Sequence, residues 1–128
     1  MRFYIDTSVF GGYWDAIFEE DTTAFFEYAR NNSSELIYSN ITERELKCAP
    51  ERVRQLSHEI VKLEKVKMEL IEMNDEAERL AKNYIKEGAL TKKCRNDARH
   101  IALATINRVD TLVSWNFRHM VNFIRKTV

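Results

Sequence analysis

Glycine and proline are scarce in this chain of 128 residues, at 3 and 1, and cysteine occurs twice. So little Gly and Pro excludes a collagen-like or low-complexity chain, and the 45% of hydrophobic residues excludes disorder. Cys48 and Cys94 form no CxxC pair, which argues against a disulfide framework and a Cys-based zinc site, and leaves two core or surface thiols. The three His show no HxxxH spacing, so a His-based zinc site is not indicated either. Long apolar runs are also missing. The longest reach four or five residues, against the roughly 18 to 20 that cross a bilayer. The opening MRFYIDTSVF carries an acid where a signal peptide would be apolar, so the reading is a cytoplasmic protein without a membrane partner. No GxGxxG or GxxxxGK[ST] phosphate loop occurs, which counts against a Rossmann-type or flavodoxin-like ligand binder.

What is present fits one domain, 1–128, because a compact unit usually spans about 100 to 150 residues. Lys plus Arg and Asp plus Glu balance at 20 each, but unevenly along the chain. Residues 1–85 hold 11 basic against 17 acidic side chains, and residues 86–128 hold 9 against 3. The basic C-terminal third is either a phosphate-facing surface or a set of solvated helix faces.

Periodicity alternates strand and helix. Residues 2–6 read as a strand ending in Asp6, followed by a turn at Gly11 and Gly12. A helix is expected from Thr22 or Thr23 to Arg30, and a second strand over 35–39. Thr42 is expected to open a helix with Glu45 in a capping box, and Pro50 to interrupt it before a second stretch over 51–65. Val53, Leu56, Ile60 and Leu63 would form the apolar face of that stretch. A third strand is expected over 67–73, a helix from Asn74 or Asp75 to Gly88, a helix over 96–107, and a fourth strand over 111–114. Such alternation predicts an α/β sandwich around a mostly parallel sheet. Residues 121–128 leave little room for a fifth strand, which reads as a natural or introduced truncation at the C-terminus.

In a parallel sheet, ligands collect at the carboxyl ends of the strands. Asp6, then Ser39 with Glu43 and Glu45, then Ser114 with Asn116 and His119 follow strands, and Asp97 lies in the first turn of a helix. If they converge, two or three carboxylates meet, and a hard divalent cation such as Mg²⁺ or Mn²⁺ suits such a cluster. Each also has a structural explanation. Asp6 could form a turn with Ser8, Glu45 could cap a helix, and Asp97 could complement a helix dipole. Glu43 reads as a solvated side chain. His100, three residues after Asp97, either pairs with it or fills the helix surface, the second being the default. Trp115 and Phe117 read as core anchors before base-stacking platforms, and Ser8 with His119 makes no hydrolase triad. Phe25, Phe26 and Tyr28 serve either a dimer interface or the core.

Taken in order, Phe-Tyr-Ile-Asp-Thr-Ser-Val at the start, Ser39-Asn-Ile-Thr-Glu-Arg-Glu45-Leu, Asn96-Asp97-Ala-Arg-His100-Ile-Ala-Leu-Ala, and Asp110-Thr-Leu-Val-Ser-Trp-Asn116-Phe-Arg-His119 resemble the PIN domain family, in particular its VapC-like toxins. The resemblance spans nearly the whole chain. It implies a three-layer α/β/α fold and a Mg²⁺- or Mn²⁺-dependent single-strand ribonuclease, usually dimeric and often inhibited by an antitoxin protein. It implies further that Asp6, Glu45 and Asp97 hold the metal, with Thr7 or Ser8 hydrogen bonding near Asp6; Ser114 and His119 are supporting candidates by their place after the fourth strand. Where the family often has a fourth acid this chain has Asn116, so the site carries three formal negative charges instead of four, which weakens metal affinity. That departure motivates an alternative reading as a PIN-like module that binds RNA or a protein without useful catalysis.

Overall fold

The computed structural model describes residues 1–55, 66–88 and 95–115. The expectations placed on Leu56, Ile60, Leu63, Cys94, Asn116, Phe117, His119 and the C-terminal stretch lie outside the described residues.

Four strands, β1 (Arg2–Ile5), β2 (Glu35–Ser39), β3 (Lys67–Ile71) and β4 (Thr111–Val113), form one sheet in the order β3-β2-β1-β4. All three pairings are parallel, with Phe3 opposite Leu36 and Thr111. Parallel neighbours need crossovers, and helices supply them: α1 (Thr7–Gly11), α2 (Glu19–Asn31), α3 (Asn40–Lys47), α4 (Asp75–Lys86) and α5 (Arg95–Ile106). Residues 51–55 are also helical.

Period-2 alternation divides the apolar residues between two cores. Phe3, Ile5 and Leu36 pack with Val9, Phe10, Phe26 and Ala29 from α1 and α2 on one face. Tyr4 and Ile37 pack with Ala77, Ala81, Ala98, Ile101 and Ala102 from α4 and α5 on the other. The expected three-layer α/β/α sandwich is therefore the observed fold, its described strands wholly parallel.

Local chemistry explains most boundaries. Asn74 Oδ1 accepts from Ala77 N at 2.8 Å to cap α4, and Gly88, at φ +77°, follows its end as expected. Helix α2 begins one turn before the expected Thr22. Its first turn holds Glu19, Glu20 and Asp21, which complement the helix dipole and carry no apolar signal. Helix α3 opens at Asn40, not Thr42. Ser39 is the N-cap, and Ser39 with Thr42 forms the capping box, so Glu45 is not a capping residue. Phe26 is fully buried in the core, whereas Tyr28 is exposed and Phe25 packs edge-on against Phe3 with ring centroids 5.5 Å apart.

Candidate active site

Because the strands are parallel, the carboxyl ends of β1, β2 and β4 share one edge of the sheet; Asp6 and Ser114 directly follow β1 and β4, and Ser39 is the last residue of β2. Asp6 is 3% exposed and is the N-cap of α1. Its Oδ1 accepts from Ser8 N at 3.0 Å and from Ser8 Oγ at 2.5 Å, and its Oδ2 accepts from Ser114 Oγ at 2.6 Å. Ser8 Oγ in turn accepts from Trp115 N at 2.9 Å, so the end of β4 is fastened to α1. The turn role considered for Asp6 is thus real and coexists with its place at the strand end. Burial drives the Asp6 carboxyl above the usual range, the hydrogen bonds from Ser114 and Ser8 oppose this, His100 also opposes it, and the negative charge of Asp97 adds to the rise.

Glu45, half-buried on α3, is held differently. His100 Nε2 lies 2.6 Å from its Oε1, and Thr7 Oγ1 donates to the same oxygen at 2.7 Å. Burial raises the Glu45 carboxyl, but the hydrogen bond and charge of His100, helped by Thr7 and Asn96, overcome it and hold the group below its ordinary value. Glu45 is therefore ionised at neutral pH. Thr7 serves Glu45, and Ser8 serves Asp6.

Asp97 lies in the first turn of α5, partly buried. Its neighbour Arg99 donates to Glu78 Oε1 at 3.1 Å from Nη2 and at 3.2 Å from Nε, which ties α5 to α4 and occupies one cation of the basic C-terminal third. Lys86, Arg95 and Arg108 are exposed, as is Glu43.

The fold thus gathers Asp6, Thr7, Ser8, Glu45, Asp97 and Ser114 at one edge, and it adds residues that the sequence reading missed. His100 is 1% exposed, so it does not fill the helix surface as expected. Its Nδ1 lies 2.6 Å from Tyr4 Oη, which lies 2.8 Å from Ser39 Oγ. Burial pushes the Tyr4 phenol upward, which keeps its proton in place at physiological pH. The available signal was Tyr4 itself, a phenol in an otherwise apolar strand, since a buried Tyr hydroxyl usually finds a partner. Trp115 stacks on Phe18 at 5.8 Å and donates from Nε1 to Thr22 Oγ1 at 2.9 Å, in keeping with an anchoring role.

Comparison with solved structures finds parallels to this fold. This chain shares its fold with a chain of a toxin-antitoxin complex. In the crystal structure of VapBC2 from Rickettsia felis bound to a DNA fragment from their promoter, the similar chain aligns at a TM-score of 0.64 and 16% sequence identity, over 94% of this chain and 92% of that one. No protein-family model and no curated protein matches the sequence. The VapC-like resemblance of the motifs is accordingly supported at the level of fold.

The donor chemistry at the edge suits a hard cation, since Asp6, Glu45 and Asp97 all offer carboxylate oxygens and Asp97 electrostatically disfavours ionised Asp6. Among the described residues no three His, Cys, Asp or Glu side chains already stand in a metal-holding arrangement. The acids are instead fastened to Ser8, Ser114, Thr7 and His100. None of the described helices is long and apolar enough to cross a membrane.

Proposed function

We propose that this protein is a divalent-metal-dependent single-strand ribonuclease acting as the toxin of a toxin-antitoxin pair. The observation that carries this reading is the convergence of the acids at one edge: Thr7, next to Asp6, donates to Glu45 Oε1 at 2.7 Å, and His100, three residues after Asp97 on α5, lies 2.6 Å from the same oxygen. Keeping two carboxylates close together in a partly dehydrated site costs stability, and bound positive charge would offset that cost. Asp6, Glu45 and Asp97 would hold Mg²⁺ or Mn²⁺. When bound, such an ion lowers the pKa of a water and neutralises charge on a phosphodiester. The chain's own residues prepare the site: Ser8 and Ser114 favour ionised Asp6, while His100 and Thr7 favour ionised Glu45. Exposed Arg95 and Lys86, with the basic residues of the C-terminal third, would face the RNA backbone. The likeness to VapBC2 supports a cognate antitoxin as protein partner, and a homodimer in the cytoplasm completes the proposal.

The test is cleavage of a mixed, labelled single-stranded RNA pool with Mn²⁺, with Mg²⁺ and with EDTA, for the wild type and Asp97→Asn. Cleavage that needs metal and disappears in the variant is expected. Undiminished cleavage by folded Asp97→Asn and Asp6→Asn proteins would overturn the assignment. A second reading, a binding module without useful catalysis, is favoured by the commitment of Glu45 Oε1 to two hydrogen bonds. Salt-sensitive RNA binding that persists in chelator, with no cleavage under either metal, would select it.

A further inference from the structure

The most fully bonded buried side chain behind the proposed site is the imidazole of His100. It belongs to α5, which also buries Ala98, Ile101 and Ala102, and it is itself 1% exposed. Burying a ring with two polar nitrogens is costly unless both are bonded, and here each has a partner at 2.6 Å, Tyr4 Oη at Nδ1 and Glu45 Oε1 at Nε2.

These bonds belong to a longer chain. Ser39 Oγ accepts from Ile41 N at 3.2 Å and from Thr42 N at 3.5 Å, and it lies 2.8 Å from Tyr4 Oη. The network therefore leaves the N-cap of α3, crosses β1 through Tyr4 and α5 through His100, and returns to α3 at Glu45. An ionised Glu45 only accepts, so His100 Nε2 donates to it, while Nδ1 is bonded to the Tyr4 hydroxyl. Tyr4 Oη is bonded in turn to Ser39 Oγ, which receives the backbone donors of α3. Such a fully connected buried network holds its terminal member in one orientation.

We infer that His100 is a positioning residue for metal binding, orienting the Glu45 carboxylate so that Oε1 is committed to His100 and Thr7 while the group as a whole stays fixed for a cation. This rests on the assignment of Glu45 as a ligand of a divalent ion. Partners that orient a ligand from behind typically contribute 10- to 100-fold in metal affinity.

The test is titration of the purified full chain with Mn²⁺, following free ion by electron paramagnetic resonance, beside thermal unfolding in EDTA. His100→Asn keeps a polar group near Nδ1 and loses the donor to Glu45, whereas His100→Gln keeps a donor near Nε2. About 10- to 100-fold weaker Mn²⁺ binding is expected for His100→Asn, with substantial recovery in His100→Gln. In cleavage, the Mn²⁺ concentration for half-maximal rate should rise by the same factor while KM for RNA stays constant. A merely structural role would lower the unfolding midpoint of both variants without separating their Mn²⁺ affinities. Equal affinity in wild type and His100→Asn overturns the inference while leaving the ribonuclease reading intact. Absence of Mn²⁺ binding by the wild type overturns both. If His100→Asn does not fold, Tyr4→Phe removes the preceding link, and unchanged Mn²⁺ affinity in that variant overturns the inference instead.

Discussion

Ser114 Oγ lies 2.6 Å from Oδ2 of Asp6, a buried hydrogen bond that joins positions 108 residues apart. It ties the end of β4 to the end of β1 and supports ionisation of a carboxyl that burial disfavours. Removing it with Ser114→Ala should push the Asp6 carboxyl still higher. RNA cleavage is expected to fall about 10- to 100-fold at neutral pH, and the acid limb of its pH profile to move to higher pH. A profile superimposable on that of the wild type would count against this role for Ser114.

Asp6→Asn should separate stability from activity. The folded Asp6 carboxyl sits above its ordinary value, so its contribution to stability is fully present below that ordinary value and is lost as pH rises through the raised one. In EDTA, the variant is therefore expected to unfold at a higher temperature than the wild type at pH 7, with the gap closing toward pH 3. Metal-dependent cleavage should disappear in the same variant. Calorimetry across that pH range, paired with the RNA assay, measures both effects.

Glu45 has the opposite linkage. Its carboxyl is held below the ordinary value, so its contribution is present above that value and is lost as pH falls through the lowered one. Glu45→Gln should destabilise the metal-free protein at pH 7 and lose that deficit under acid. A deficit that persists unchanged at low pH would assign the effect to packing.

Gly12 lies against the bond between Trp115 Nε1 and Thr22 Oγ1. A Cβ there would meet Trp115 Nε1 at 2.6 Å and would press still harder on Thr22 Oγ1. Gly12→Ala is expected to cost about 1 to 3 kcal/mol, whereas Gly11→Ala, with nothing among the described residues within 4 Å of the added carbon, should be tolerated. Urea unfolding of the pair checks the contrast.

Ser34 Oγ is buried without a hydrogen-bond partner among the described residues, although its backbone N–H bonds to Ala29 O at 2.9 Å. Ser34→Ala should leave stability unchanged or raise it by about 1 kcal/mol, because an unmet buried hydroxyl is a net cost. A loss beyond 1 kcal/mol in the same urea measurement would show that the hydroxyl has a partner in solution.

The strand-helix order, the Asn74 cap, Gly88 after α4 and the place of Asp6 at a strand end were all legible in the sequence. These features depend on interactions within a few residues, which periodicity and capping patterns record directly. Even so, the start of α3 was misplaced, because Ser39 and Thr42 compete for the same cap and only the backbone decides between them. The sequence order offered Asp6, Glu45 and Asp97 as acids that could converge at one edge, because residues after parallel strands and at the starts of the following helices collect there. What only the tertiary structure decided is how those acids are held. His100 reaches Tyr4 across 96 positions and Glu45 across 55, and no local pattern encodes which face of α5 turns inward or which buried donor meets which carboxylate. Packing sets those pairings, because a polar group that loses water gains most by finding its partner in the assembled core.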